Sequence, residues 1–239
     1  MKQLKIALLG IASMLLLFFF AFIPMRAEAA TIENGKNTKL LQSGQQFYKF
    51  TLSDDSLVQV YWSNNTKNGT AITLYVDKDK KKMIDFLYPS GQKTGKEFYA
   101  LKKGTYYVDM YDYYQVASVK ITWNVASKYD KQNYCMAKAT TLNKDTIANV
   151  VQTPRYDYSR WYRIKLTKAQ KVTILSPYGN GGFVYLYSPS WQSYQFSTAD
   201  STNKVTTDKL AAGTYYIRVA MDGSYYQGVE GSYIAFKWK

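Results

Sequence analysis

Five segments of this chain occur twice, in the same order, and any fold it adopts must accommodate that repetition. Phe47-Tyr48-Lys49-Phe50-Thr51-Leu52 matches Trp161-Tyr162-Arg163-Ile164-Lys165-Leu166, and Val58-Gln59-Val60 matches Val172-Thr173-Ile174. Ile72-Thr73-Leu74-Tyr75 matches Val184-Tyr185-Leu186-Tyr187, and Gly104-Thr105-Tyr106-Tyr107-Val108 matches Gly213-Thr214-Tyr215-Tyr216-Ile217. Val119-Lys120-Ile121-Thr122-Trp123 matches Ile234-Ala235-Phe236-Lys237-Trp238. The offset stays between 109 and 115 and changes only across turn-like stretches. One such match could arise by chance; five in register point to a unit used twice.

The matched segments alternate. Ile234, Phe236 and Trp238 stand between Ala235, Lys237 and Lys239, and Val119, Ile121 and Trp123 between Lys120 and Thr122. A period of two sends one set to a core and the other toward water, which is the pattern of a half-buried strand. β-Branched and aromatic residues dominate, as a pleated surface prefers. Asn64-Asn65, Lys67-Asn68-Gly69, Pro89-Ser90-Gly91, Gly179-Asn180-Gly181-Gly182 and Asp222-Gly223 supply turn chemistry between them. Gly104 and Gly213 each stand just before a strand, where a tight turn can use a positive φ. These signals predict an all-β chain of two tandem antiparallel β-sandwiches, at 31–126 and 137–239, joined by a connector at 127–136. The best helix candidate is a short piece from Lys128 to Ala139. A connector this short limits the orientations the two modules can take.

The N-terminus reads as an export signal over residues 1–29. Lys2 and Lys5 precede an apolar run from Ile6 to Ile23, and Ala27-Glu28-Ala29 offers the small residues a signal peptidase reads, so cleavage is expected after Ala29. The rival is an uncleaved anchor, since the run approaches the roughly 20 residues a bilayer needs. The expected location is therefore extracellular, with wall association open and the membrane involved only through an uncleaved signal. The net charge is +14, and losing Lys2, Lys5, Arg26 and Glu28 lowers it by two charges. On an exported protein such a charge points away from nucleic acid and toward wall polymers, acidic polysaccharides or lipid headgroups. The lysines are scattered, so a purely solubilising role competes. Cys135 has no partner cysteine and cannot form an intramolecular disulfide; it is expected to be buried or half-buried.

Histidine is absent, which excludes Ser-His-Asp and Cys-His catalysis and His-ligated zinc. Carboxylate chemistry needs none, so the acidic sets matter: Asp54 with Asp55, Asp77 with Asp79, and Asp109 with Asp112. The first falls between two strands and suits a turn. The second begins like a calcium loop, but Lys80, Lys81 and Lys82 follow and oppose a dication. Asp109 alternates with Val108 and Met110 and is expected to face solvent. No catalytic residue, metal ligand or cofactor is assigned.

Tyrosine is the unusual residue, 24 of 239. It offers a flat apolar face and a polar tip at low entropic cost, suited to sugar rings and peptide backbones. Most, including Tyr106 and Tyr215, are expected to fill half-buried sheet positions. One constellation is repeated: Tyr113-Tyr114-Gln115 and Tyr225-Tyr226-Gln227 both fall between the Gly-Thr-Tyr-Tyr strand and the last strand. Loops at one end of a sandwich commonly carry recognition residues, so these two segments, with Asp112 and Asp222 nearby, are the candidate ligand surface.

The order of the aromatic strands at Tyr48-Lys49-Phe50 and Tyr162-Arg163-Ile164, the Leu74-Tyr75 and Leu186-Tyr187 strand ends, the Gly-Thr-Tyr-Tyr strands and the closing Gly231-Ser232-Tyr233-Ile234 resembles the bacterial pre-peptidase C-terminal domain, in two tandem copies. The resemblance implies a jelly-roll-like sandwich that is secreted and non-catalytic. Domains of that kind accompany hydrolases and can bind collagen, polysaccharide or calcium. Two features depart from it. No catalytic domain accompanies the modules in this chain. The acidic residues that precede the aromatic strand are mostly replaced, by Gly44-Gln45-Gln46 in the first module, with only Asp157 near that place in the second. The expectation is a secreted, non-catalytic binding protein that engages an extracellular polysaccharide, a cell-wall polymer or a protein, without a cofactor. The alternative is an accessory or regulatory partner of a secreted hydrolase.

Overall fold

The computed structural model describes residues 29–39, 44–64, 71–87, 94–112, 117–153, 159–180, 182–188, 193–197, 204–221 and 230–239. Thr31–Lys239 form one compact unit, distinct from Met1–Ala30. The apolar run and the residues up to Glu28 lie outside the described residues. The first half carries β1 (Ala30–Thr31), β2 (Asn37–Lys39), β3 (Gly44–Leu52), β4 (Ser56–Asn64), β5 (Ala71–Tyr75), β6 (Met83–Leu87), β7 (Thr94–Leu101), β8 (Gly104–Asp112) and β9 (Ala117–Val125). The second carries β10 (Thr140–Thr141), β11 (Ala148–Gln152), β12 (Arg160–Leu166), β13 (Thr173–Asn180), β14 (Gly182–Tyr187), β15 (Ser193–Ser197), β16 (Lys204–Thr206), β17 (Gly213–Met221) and β18 (Glu230–Trp238). Where a short helix was expected between them there are two 3-10 turns, Ala126–Tyr129 and Met136–Lys138. The chain is all-β, and its sheets, antiparallel but for the short parallel pairing of β10 with β12, stack as sandwiches.

Two five-stranded sheets run β1-β3-β8-β5-β6 and β10-β12-β17-β14-β15, and the matched segments of β3, β8 and β5 in the first hold the same places as those of β12, β17 and β14 in the second. Their details agree as well. The Ile32 amide donates to the Lys49 carbonyl and the Leu142 amide to the Arg163 carbonyl, at 2.8 and 2.9 Å. The Tyr106 hydroxyl donates to the Lys102 carbonyl and the Tyr215 hydroxyl to the Ala211 carbonyl, each four residues back. Both rings are fully buried rather than half-buried as expected, because each lies on the core face of its sheet, and each hydroxyl finds the partner that a buried phenol requires. Gly104 and Gly213 open these strands at φ of 158° and 157°, values that side chains with a Cβ rarely adopt.

A third sheet is shared. It runs β16-β13-β18-β7-β4-β9-β2, with β11 also paired to β18. Its first-half strands cover the β3-β8-β5 sheet over a core of Phe50, Leu52, Val58, Ile72, Met110 and Ile121. Its second-half strands cover the β12-β17-β14 sheet over Ile164, Ile174, Val184, Ile217, Ile234 and Phe236. The join is made by β18. One edge of β18 pairs with β13; the other pairs with β11 up to Ser232↔Gln152, then with β7 through Gly231↔Ala100 and Glu230↔Leu101. Gly231 stands at the changeover, where a Cβ would lie 1.8 Å from the Gln152 carbonyl oxygen, so only glycine fits.

This join buries a face that the alternation had assigned to water. Ala235 is 1% exposed, because the other side of β18 belongs to a third apolar cluster drawn from both halves: Leu57, Phe98, Ala100 and Ala126 with Val151, Tyr233 and Ala235. The Phe98 and Tyr233 rings stack there at 4.8 Å. A strand covered on both sides loses its solvent face, a tertiary effect that no local pattern encodes.

Candidate functional site

The two Tyr-Tyr-Gln segments, Tyr113-Tyr114-Gln115 and Tyr225-Tyr226-Gln227, lie outside the described residues. Their flanks are described. One segment follows Asp112 at the end of β8 and precedes β9; the other follows Met221 at the end of β17 and precedes β18. Both connect a five-stranded sheet to the shared sheet.

The most developed aromatic surface among the described residues is the outer face of the β12-β17-β14 sheet. Pairing register builds it row by row. Trp161, Arg218 and Tyr185 are directly opposite one another across three strands, and Arg163, Tyr216 and Tyr187 form the next row. Their neighbours Tyr162, Ile164, Ile217, Val219, Val184 and Leu186 point the other way into the core. The outward rings are half-buried rather than covered. Trp161 stacks on Tyr187 at 5.7 Å, Tyr185 on Tyr187 at 6.2 Å, and Phe183 meets Tyr185 at 6.1 Å. The Arg218 guanidinium lies over both Trp161, at 5.9 Å, and Tyr185, at 5.7 Å. Its Nε donates to the Ser159 hydroxyl at 3.0 Å, which fixes the plane of the group. Cross-strand aromatic pairs and cation–π contacts of this type steady a face while leaving ring surface and cationic edge toward solvent.

Sequence reasoning treated these tyrosines as half-buried fillers. A signal was available: in Phe183-Val184-Tyr185-Leu186-Tyr187 aromatic residues hold one phase and aliphatics the other. The aliphatic set suffices for a core, so the aromatic set is the outward one.

The matching face of the first half is built differently. Phe47, Asp109 and Thr73 form the row that corresponds to Trp161, Arg218 and Tyr185. Asp109 does point outward but does not face solvent, as the alternation had suggested: it is 8% exposed. The reason is Lys80, which pairs with the Asp109 carboxylate and covers the Phe47 ring at 4.8 Å. Lys80 reaches this position from a turn with φ of 59°. That turn is organised by Asp77, whose carboxylate accepts the amides of Asp79, Lys81 and Lys82 at 3.0, 3.2 and 2.8 Å. Slight desolvation raises the Asp77 pKa, but these three donors and the Lys81 charge outweigh it and hold the group below its ordinary value. The Asp-x-Asp motif is thus filled by its own backbone.

Asp54 and Asp55 have structural partners, and the Asp112 side chain lies outside the described residues. Asp55 accepts the Lys103 amide at 2.9 Å and the Thr153 hydroxyl at 2.6 Å. Asp54 accepts the Asp55 amide. Glu97, which belonged to none of the expected sets, feels a neighbouring carboxylate, that of Asp85. Partial burial first, then the Asp85 charge, raises the Glu97 pKa. Asp85 itself is engaged by the Tyr99 hydroxyl at 2.7 Å and the Phe86 amide at 2.7 Å. Among the described residues no group of three or more Asp, Glu, Cys or His side chains gathers. Cys135, expected to be at least half-buried, is exposed, because it caps the 3-10 turn at Met136–Lys138 on the outside of the connector.

The class that fold and surface define is an all-β sandwich protein with a basic aromatic sheet face. No protein-family model and no curated protein matches the chain. Among solved structures it is similar to the pre-peptidase C-terminal domain of a collagenase from Bacillus anthracis, at 16% identity and a TM-score of 0.34, covering 40% of this chain and 95% of that one. It is similar to PliG, a periplasmic inhibitor of g-type lysozyme from Aeromonas hydrophila, at 13% identity and 0.32, covering 42% and 97%. The PBSX exported protein XepA aligns at 10% identity and 0.28, covering 87% and 88%.

Proposed function

We propose that this is an exported, non-catalytic binding protein, a tandem duplication of one pre-peptidase-C-terminal-like unit, whose ligand is an extracellular polymer. The observation that carries the reading is the outer face of β12, β14 and β17, where Trp161, Tyr185 and Tyr187 are stacked in a shared layer with Arg218 between two of the rings. Preformed aromatic faces bind polymer repeats by stacking with little entropy to lose, and a fixed guanidinium adds oriented donors. The charged n-region and apolar run at residues 1–29 support export. β17 ends at Met221, three residues beyond Arg218, and the Tyr225-Tyr226-Gln227 segment that follows is proposed to extend the surface; Tyr113-Tyr114-Gln115 would do the same in the first half.

The test is retention of the secreted chain on isolated cell walls and on a panel of immobilised polysaccharides. The double variant Trp161→Ala, Tyr185→Ala should lose retention while still unfolding in a cooperative transition at a somewhat lower temperature. Retention that survives this change would remove the face from consideration. Loss only on changing Tyr113, Tyr114, Tyr225 and Tyr226 would move the site to the loops.

A further inference from the structure

Resting on that reading, we infer that the face takes a polysaccharide built of carboxylate-bearing sugar rings, a uronic-acid polymer, and that the chain holds one such site rather than two. The charge pattern leads there. The strands β12, β14 and β17 contain no Asp or Glu, yet β12 turns Arg163 and Lys165 outward and β17 turns Arg218 outward. Among the described residues no carboxylate pairs with Arg218, and Arg163 donates its Nε only to the Thr141 hydroxyl, at 2.8 Å. These cations share rows with the rings: Arg218 lies between Trp161 and Tyr185, Arg163 beside Tyr216 and Tyr187. A ligand that satisfies both must offer, at one repeat, a ring face for stacking and an anion for a planar fork. A uronate ring does so; a polyol phosphate has the anion without the ring, and a neutral glycan the ring without the anion.

The first half lacks the same site because its charges are already matched. Asp109 occupies the place of Arg218, so the central charge is reversed, and Lys80 both neutralises it and roofs Phe47. A uronate arriving there would meet a carboxylate and a covered ring.

The experiment titrates the secreted chain with polygalacturonate, with the same polymer after reduction of its carboxyl groups, and with poly(glycerol phosphate). Polygalacturonate should bind with one site per chain per polymer segment and weaken as salt rises. The reduced polymer should bind about tenfold less tightly, as loss of a charge-assisted hydrogen bond implies. Arg218→Gln should lower affinity for polygalacturonate by about tenfold, and Arg218→Lys should recover only part of it. Tyr75→Ala, in the first half at the position matching Tyr187, should leave it unchanged. Arg163→Gln, on an exposed side chain, gives the same readout if Arg218 variants fail to fold. Equal affinity for the reduced polymer would overturn the inference while leaving the binding face standing, as would tighter binding of poly(glycerol phosphate). Binding that ignores both the Arg218 and the Trp161→Ala, Tyr185→Ala changes would overturn the face as well. Affinity lowered equally by Tyr75→Ala would overturn the single-site claim.

Discussion

The Asp55 carboxylate accepts a 2.6 Å hydrogen bond from the hydroxyl of Thr153, a residue 98 positions further along the chain. Both groups are buried, and the other carboxylate oxygen takes the Lys103 amide. The contact sits beside the strand changeover at Gly231 and the apolar cluster around Phe98 and Tyr233, so it ties the first half of the chain to the second.

Thr153→Val keeps the shape and removes the donor. Leaving one oxygen of a buried carboxylate short of a hydrogen bond should cost about 2 kcal/mol of unfolding free energy. Chemical denaturation of the variant beside the parent measures it. A loss below a few tenths of a kcal/mol would mean that the two halves do not depend on this bond.

Gly231→Ala places a methyl where the Gln152 carbonyl already is, and both atoms belong to paired backbone. The strands must part, so the expected cost is about 3 kcal/mol. Because β18 is common to both halves, calorimetry should show a lower transition temperature, with the strand register between β18 and β7 weakened first. An unchanged transition would contradict the changeover geometry.

Lys80→Ala takes away the cation that covers Asp109. The expected loss is about 2 kcal/mol, as for a partly buried pair broken from one side. Adding Asp109→Asn should restore part of it, and the size of the recovery in a double-mutant cycle measures the coupling. Additive single effects would show that the pair contributes nothing.

Burial pushes the Tyr162 hydroxyl from 10.0 up to about 12, against smaller lowering influences of the Asn133 hydrogen bond and the Arg160 charge. A group whose pKa is raised by folding contributes fully below its unfolded value. Here the unfolded chain ionises first, near pH 10, so stability falls between pH 10 and about 12. Tyr162→Phe should flatten that part of the pH profile by about 2 kcal/mol relative to the parent, measured by denaturant unfolding at each pH. A profile that keeps its slope in the variant would assign the loss to other tyrosines.

Much of the fold was legible because its information is local. The alternation of Ile234, Phe236 and Trp238 named a core face, and Gly-Thr-Tyr-Tyr named the strands whose tyrosines anchor back four residues. The join between the halves was not legible. Ala235 looks like a solvent-side residue until β18 is covered from its second face, and Asp55 looks like a turn aspartate until Thr153 arrives from far along the chain. Arg160 is likewise buried beside Asp130 of the connector, at 3.7 Å, a pairing that neither local pattern announces. The aromatic face was half legible: residue types in β14 gave its phase, but the row of Trp161, Arg218 and Tyr185 exists only once the register of three strands is set.

The central claim is that the outer face of β12, β14 and β17 is where ligand binds. Side-chain oxidation footprinting of the protein, with and without saturating polygalacturonate, addresses it most directly. Trp161, Tyr185, Tyr187 and Tyr216 should be protected, while Tyr75 and Tyr107 on the corresponding first-half face should oxidise as before. Protection confined to Tyr113, Tyr114, Tyr225 and Tyr226, or protection nowhere, would contradict it.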